Sequence, residues 1–266
     1  MSQVENLNCD TENQEYTFGD NVRIMKTNNQ LRELHTLVRD RTTERSDFKF
    51  CADRLIRLTV EAALNELPYE TCEIFTPTGQ SYEGVQNRKG TVCISLMRSG
   101  EVMEKGLREC CRSIRIGKIL VNEGQVIYAK LPSDVKQRYV LLTYPVITTG
   151  STALIGIEFL LREYQCLQSN IILVCLFSTP ESIELICQTY PEIKIVVSEI
   201  NPIAPNHFAQ KYFGRNRVLF YKIKTLVFLF KELINFSIII LRDKINTSTH
   251  IICVFFFFAF NKINLE

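Results

Sequence analysis

The stretch from Ile171 to Ile200 constrains the fold more than any other. It reads IILVCLF, then STPESIELICQTY, then EIKIVVSEI. The outer pieces are short apolar runs rich in β-branched residues, the signature of buried strands. The middle piece reads as a helix. Ser178 and Glu181 stand at capping-box spacing, and Pro180 falls in the first turn, where a missing N–H does no harm. Strand, helix and strand in this order imply parallel pairing, with helices packed on the faces of a sheet.

The same alternation runs back to about residue 21. NQLRELHTLVRD places Leu31, Leu34 and Val38 on one helical face. ADRLIRLTVEAALNEL does the same with Ile56, Val60, Ala63 and Leu67, and Arg57 and Glu61 are spaced for an i,i+4 pair. TVCISLM (91–97), VIYAK and YVLLTYP are further apolar runs, and EVMEKGLRECC reads as a helix. The expectation is an α/β domain over residues 21–214 with a parallel sheet flanked by helices. Residues 1–20, polar and acidic, read as a disordered leader.

Composition excludes several function classes. The net charge of +2 provides no strong field for nucleic acid or an anionic membrane, and no nucleic-acid signature with interleaved aromatics occurs. Ten Cys occur without a C-x-x-C, and no apolar signal segment opens the chain, so a reducing, cytoplasmic setting is expected. His35, His207 and His250 lie far apart in sequence and give little support to a His-based metal site or a triad.

In a parallel α/β sheet, ligands gather outside the carboxyl ends of the strands. Three motifs fall there. In YPVITTGSTA (144–153), Thr148, Thr149, Gly150, Ser151 and Thr152 sit between a strand and a helix. Backbone N–H groups, hydroxyls and the helix dipole could seat a phosphate monoester; an ordinary Ser/Thr-capped helix has the same appearance. In LMRSGE, Arg98 lies just past a strand and offers a rigid fork of donors suited to a diphosphate, or is a solvated surface charge. APNHFAQKYFG (204–214) could grip a flat base with backbone groups and a ring, or be a packed connector.

LMRSG, RSIRIGKIL, YPVITTGST, LFSTPE and HFAQKYFG, in this order and spacing, resemble uracil phosphoribosyltransferases, most closely the animal homologues. The resemblance implies the type I phosphoribosyltransferase fold, a parallel sheet flanked by helices with a small hood. It implies that Tyr144, Pro145, Val146, Ile147 and Thr148 to Thr152 hold 5-phosphoribosyl diphosphate, with Arg98 on the diphosphate. Asn206, His207 and Phe208 match the uracil loop. Arg45, Arg54, Arg88, Lys89, Gly90, Thr91, Arg115 and Arg138 match positions that bind GTP as an activator in some members. The implied reaction moves ribose 5-phosphate to N1 of uracil, giving uridine monophosphate in pyrimidine salvage, with Mg²⁺. A homodimer is implied too.

The chain departs from that pattern at its acids. Active members open the loop with Asp-Pro, whose carboxylate holds the ribose hydroxyls; here Tyr144 stands there. They carry G-D-x-G-D-R before Tyr-Phe-Gly; here His207 and Gln210 replace the acids and Lys211 the Arg. A phenol carries no charge at neutral pH. A non-catalytic nucleotide-binding or regulatory protein on the same fold is therefore the alternative to an enzyme.

Residues 215–266 contain no Gly and no Pro and are crowded with Phe, Ile, Lys and Asn. The run 218–241 has spanning length but holds Lys222, Lys224, Lys231 and Glu232. Central charges cost about 2.5–3.5 kcal/mol each on insertion scales, which disfavours a membrane role. The tail is expected to pack poorly against the α/β core.

Overall fold

The computed structural model describes residues 18–87 and 90–214, which belong to one compact unit as far as Phe213. Most of the expected leader (1–17), Arg88, Lys89 and the expected tail lie outside the described residues.

The elements are β1 (Val22–Ile24), α1 (Asn29–Arg39), α2 (Arg45–Leu64), β2 (Tyr69–Phe75), β3 (Ser81–Asn87) and β4 (Thr91–Met97). After a 3-10 turn over Ser99–Met103 come α3 (Glu104–Cys110), β5 (Arg115–Asn122), β6 (Gln125–Lys130), β7 (Tyr139–Thr143) and β8 (Val146–Ile147). The rest are α4 (Ser151–Arg162), β9 (Ile171–Ser178), α5 (Pro180–Thr189), β10 (Lys194–Ile200) and α6 (Phe208–Phe213).

The main sheet runs β1-β10-β9-β7-β4-β5-β6, with β8 also pairing β9. Every pairing in it is parallel except β5 with β6. The sheet is thus mostly parallel, as expected, with one antiparallel edge. A connection as short as Glu123-Gly124 can only turn a hairpin, since parallel neighbours need a long crossover. Strands β2 and β3 form a separate antiparallel ribbon.

Alternation along the strands divides the core in two. Ile172, Val174 and Leu176 of β9 join Leu34, Ile56, Leu107 and Phe208 on the face covered by α1, α2, α3 and α6. Ile171, Leu173 and Cys175 join Ile157, Leu160, Ile183 and Ile186 of α4 and α5 on the other. A strand buried on both faces reads as an unbroken apolar run, which is why IILVCLF shows no alternation.

Two local expectations change. Arg57 does not pair with Glu61; its Nη1 donates to Glu109 on α3 at 2.7 Å, joining two helices instead of stapling one. The cap of α5 is Thr179, whose hydroxyl accepts from the Ser182 N–H at 3.3 Å, with Pro180 as the first helical residue. Pro at that position makes its predecessor the cap. Ser178 stays in β9, its hydroxyl 2.9 Å from that of Ser182.

Gly100 lets the turn after β4 settle against the end of β7. A Cβ there would sit 2.4 Å from the Thr143 carbonyl oxygen, a backbone atom. Gly100→Ala should therefore destabilise the fold by about 1–3 kcal/mol, the scale of overpacking. Urea denaturation measures this, and an unchanged midpoint would show that the turn yields freely.

Candidate functional site

The carboxyl ends of β4 and β7 and the chain beyond β10 meet at one edge of the sheet. A cleft of about 120 Å³ lies there, lined by Ser99, Tyr144, Pro145, Val146, Thr148, Asn206 and Ala209. All three motifs contribute to it. Its polar lining is neutral: Ser99, Tyr144, Thr148 and Asn206.

Backbone hydrogen bonds shape the loop from Tyr144 to Gly150. Tyr144 donates its N–H to Val174 at 3.0 Å, and the Pro145 carbonyl accepts from Leu176 and Phe177 at 2.9 and 3.0 Å. Val146 and Ile147 are the short strand β8 on β9. Thr179 holds the end of β8 and the start of the hydroxyl-rich turn: its N–H donates to Ile147 at 3.1 Å and its hydroxyl to the Thr148 carbonyl at 2.7 Å. Thr179 thus fixes both the cap of α5 and the loop. Its signal in the sequence was Thr-Pro at a strand–helix junction.

Gly150 sits at φ +76° just before α4, a left-handed conformation that non-glycine residues rarely adopt. No side chain caps α4. That separates the two readings of TTGST: this is not a Ser/Thr-capped helix, and the first-turn N–H groups remain for another acceptor. Thr148, Thr149 and Ser151 are exposed and Thr152 is half-buried, with the Thr149 and Ser151 hydroxyls 3.0 Å apart. An uncapped N-terminus beside clustered hydroxyls favours an anion.

Arg98 directly follows β4 and is exposed, next to Ser99 of the cleft. The Met97–Arg98 peptide is cis. Asn206 lines the cleft, and His207 is exposed on the same loop. Phe208 corrects the expectation of a ring for a base. Its side chain is fully buried, with centroids 5.4 Å from Phe48 and 6.0 Å from Phe177, so only its backbone can serve a ligand. Ser99 of LMRSGE and Ala209 of APNHFAQKYFG line the cleft as well.

The residues matched to a GTP site do not form one group. Arg45 donates to the carbonyls of Lys211, Tyr212 and Phe213 at 3.3, 3.3 and 3.0 Å, closing the end of α6. The Arg54 guanidinium lies 5.8 Å from the Phe50 ring centre. Gly90, Thr91, Arg115 and Arg138 lie at the amino ends of β4, β5 and β7, where Arg115 and Arg138 both bind Asp134. This is the sheet edge opposite the cleft. Arg88 and Lys89 lie outside the described residues.

One acid that lies near the loop of Asn206 serves the structure. Asp53 is buried and accepts from the Tyr212 hydroxyl at 2.5 Å and from Lys105 at 2.7 Å. Among the described residues no cluster of His, Cys, Asp and Glu could hold a metal ion. No carboxylate lines the cleft, so its walls do not fit a resident Mg²⁺, which is held through carboxylates and phosphate oxygens.

A parallel sheet with an uncapped, glycine-led helix start beyond its strands is the architecture of the type I phosphoribosyltransferases. Residues 25–209 match the family model for uracil phosphoribosyltransferase. Over 203 residues, 74% of this chain, it is 50% identical to the uracil phosphoribosyltransferase homolog of Danio rerio, covering 79% of that protein. It is 51% identical to the homolog of Homo sapiens over the same share of this chain, but spans only 65% of that relative's length. The structure of the AQ2163 protein from Aquifex aeolicus shares the fold at a TM-score of 0.57 and 19% identity, with 68% of this chain and 87% of that one covered. The chain belongs to the uracil phosphoribosyltransferase family. Among the described residues no helix is long and apolar enough to cross a membrane.

One titrating group lies behind the cleft. His35 is buried, its Nε2 2.7 Å from the Ser198 hydroxyl, its ring edge-on to Phe177, and Glu199 and Arg39 beside it. Burial lowers its pKa below 6.5, Glu199 opposes that shift and Arg39 adds to it. The fold thus favours neutral His35. Its contribution is complete above 6.5 and is lost as pH falls through the lower folded value, because the unfolded chain then binds the extra proton. The wild type should lose stability on acidification from about pH 7.5 to 5.5. His35→Gln, which cannot titrate, should show a flatter profile by thermal melting; equal slopes would remove His35 from that role.

Proposed function

We propose that the chain binds 5-phosphoribosyl diphosphate at this cleft, with uracil or uridine monophosphate as the base-bearing partner, and that transfer to uracil is slowed by several orders of magnitude. The observation that carries the reading is the uncapped start of α4 behind Gly150, with exposed hydroxyls around it and Arg98 beyond. That is equipment for the 5′-phosphate and the diphosphate. Mg²⁺ enters only as the counter-ion of the diphosphate.

The second half of the reading rests on Tyr144. In this reading it is the counterpart of the carboxylate that holds the ribose hydroxyls in active members. A hydrogen bond to a charged partner contributes about 1.5–3 kcal/mol. Beside a ribose that develops positive charge, that contribution grows in the transition state. His207 and Gln210 stand where two further acids are expected, and neither an imidazole nor an amide carries negative charge. The neutral cleft favours the alternative role, a non-catalytic nucleotide-binding or regulatory protein, over efficient pyrimidine salvage.

Two assignments accompany this reading. Pairing of two copies would cover the β2–β3 ribbon, on which Ile74, Phe75, Tyr82 and Val85 are exposed; a two-stranded ribbon alone is marginal in water. An activating GTP would use Gly90, Thr91, Arg115 and Arg138, the members of its set that share one sheet edge.

Titration calorimetry of 5-phosphoribosyl diphosphate with Mg²⁺ into the chain tests binding, and formation of uridine monophosphate tests transfer. Saturable binding is expected, with turnover far below the ordinary range of about 1–10³ s⁻¹. Tyr144→Asp should tighten binding by about tenfold and leave turnover poor, since His207 and Gln210 remain. No binding by the wild type, or turnover in the ordinary range, would refute the reading.

A further inference from the structure

The loop that brings Asn206 to the cleft is secured from the other end of the sequence. Arg39, the last residue of α1, donates from Nη1 to the Ile203 carbonyl at 2.6 Å. Its Nη2 and Nε donate to Glu199 Oε2 on β10 at 2.6 and 3.1 Å. The guanidinium carbon lies 5.1 Å from the centre of the Phe177 ring. One planar fork thus binds a strand carboxylate and a loop carbonyl together, which a lysine, with a single point of charge, cannot reproduce.

Ile203 has no other strong hold. Its side chain is 76% exposed, so apolar packing does not fix it, and its N–H donates only to Asn201, in the same loop, at 2.8 Å. Downstream, the loop is fixed by buried Phe208, by Arg45 on the end of α6 and by Lys211, which donates to the Asp40 carbonyl at 3.1 Å. Asn206 lies between these anchorages. Freeing Ile203 releases the chain on its upstream side alone and leaves the loop of Thr148 to Thr152 untouched.

We propose that Arg39 is a positioning residue for the base half of the cleft, setting where Asn206 meets a ligand through the bridge from Glu199 to Ile203. This rests on the nucleotide-binding reading above. It predicts a selective defect. A ligand that fills only the phosphate half should not notice Arg39, and a ligand that reaches the base loop should.

Calorimetry with ribose 5-phosphate and with uridine monophosphate on the whole chain distinguishes the two halves. Arg39→Met should weaken uridine monophosphate binding by about tenfold or more, the scale of a lost charge-assisted contact, and leave ribose 5-phosphate within about twofold. Arg39→Lys should recover part of the loss. Should Arg39→Met fail to fold, Glu199→Gln, which weakens one arm of the bridge, is read in the same way and should give a smaller loss with the same selectivity. Unchanged uridine monophosphate binding, or equal weakening of both ligands, overturns the proposal while the functional reading stands. If the wild type binds ribose 5-phosphate but not uridine monophosphate, the base half is absent and the proposal fails. If it binds neither, the functional reading fails and takes the proposal with it.

Discussion

Burial of β9 on both faces is the constraint on which the rest of the structure depends. All of its residues from Ile171 to Ser178 are buried. A strand so placed must have a helical layer on each side and hydrogen-bonded neighbours on each edge. β10 and β7 supply the edges, and α2 and α4–α5 lie in the two layers. Nothing polar can be accommodated along its length, so polar chemistry moves to its carboxyl end. There Ser178, Thr179 and Ser182 turn their hydroxyls on one another and on the Ile147 and Thr148 carbonyls. The end of β8 and the start of the hydroxyl-rich turn are therefore held from behind by the helix start just beyond β9.

The legibility of each element in the chain depends on how local its interactions are. β4 was legible to its ends because a continuous apolar run between polar residues has one good reading. β2 and β3 gave no such signal: their apolar residues fall on both faces and stay exposed, so neither alternation nor continuity marks them. Strand direction is not written in periodicity, and β6 passed as one more parallel strand. At the site, the glycine and the hydroxyls were legible because a left-handed turn and a helix start impose residue types. The place of the Phe208 ring is not legible in the sequence, because an aromatic at such a junction looks the same whether it faces a ligand or the core. Arg39 was invisible because its partners lie 160 and 164 residues away.

Shape and charge have separate physical costs in this fold, and that explains how one can persist without the other. The turn at Gly150, the contact of Gly100 with Thr143 and the hydrogen bonds of Thr179 are parts of the packed structure. A change at any of them is felt by the whole domain. A carboxylate at position 144 would face the cleft, where the half-buried Tyr144 stands. Replacing an acid there removes no core contact and relieves the desolvation of a charge, so the fold loses little. In the proposed function the loss would fall on a bound ribose instead.

The two halves of the cleft are accordingly held by different kinds of force. The wall from Tyr144 to Thr148 belongs to the sheet: it is pinned by hydrogen bonds to β9 and to Thr179, the cap of α5, short-range contacts that do not depend on charge. The wall that carries Asn206 is tied instead to α1 and α2, through Arg39 and Arg45 and through Lys211 of α6 on the Asp40 carbonyl, whose charges meet one carboxylate and several carbonyl oxygens. Charge-assisted bonds to partly exposed partners weaken with salt and yield more easily than ladder hydrogen bonds. The base loop is thus the softer of the two walls. Under the proposed reading, the position of that wall would decide which base-bearing ligands the cleft can select.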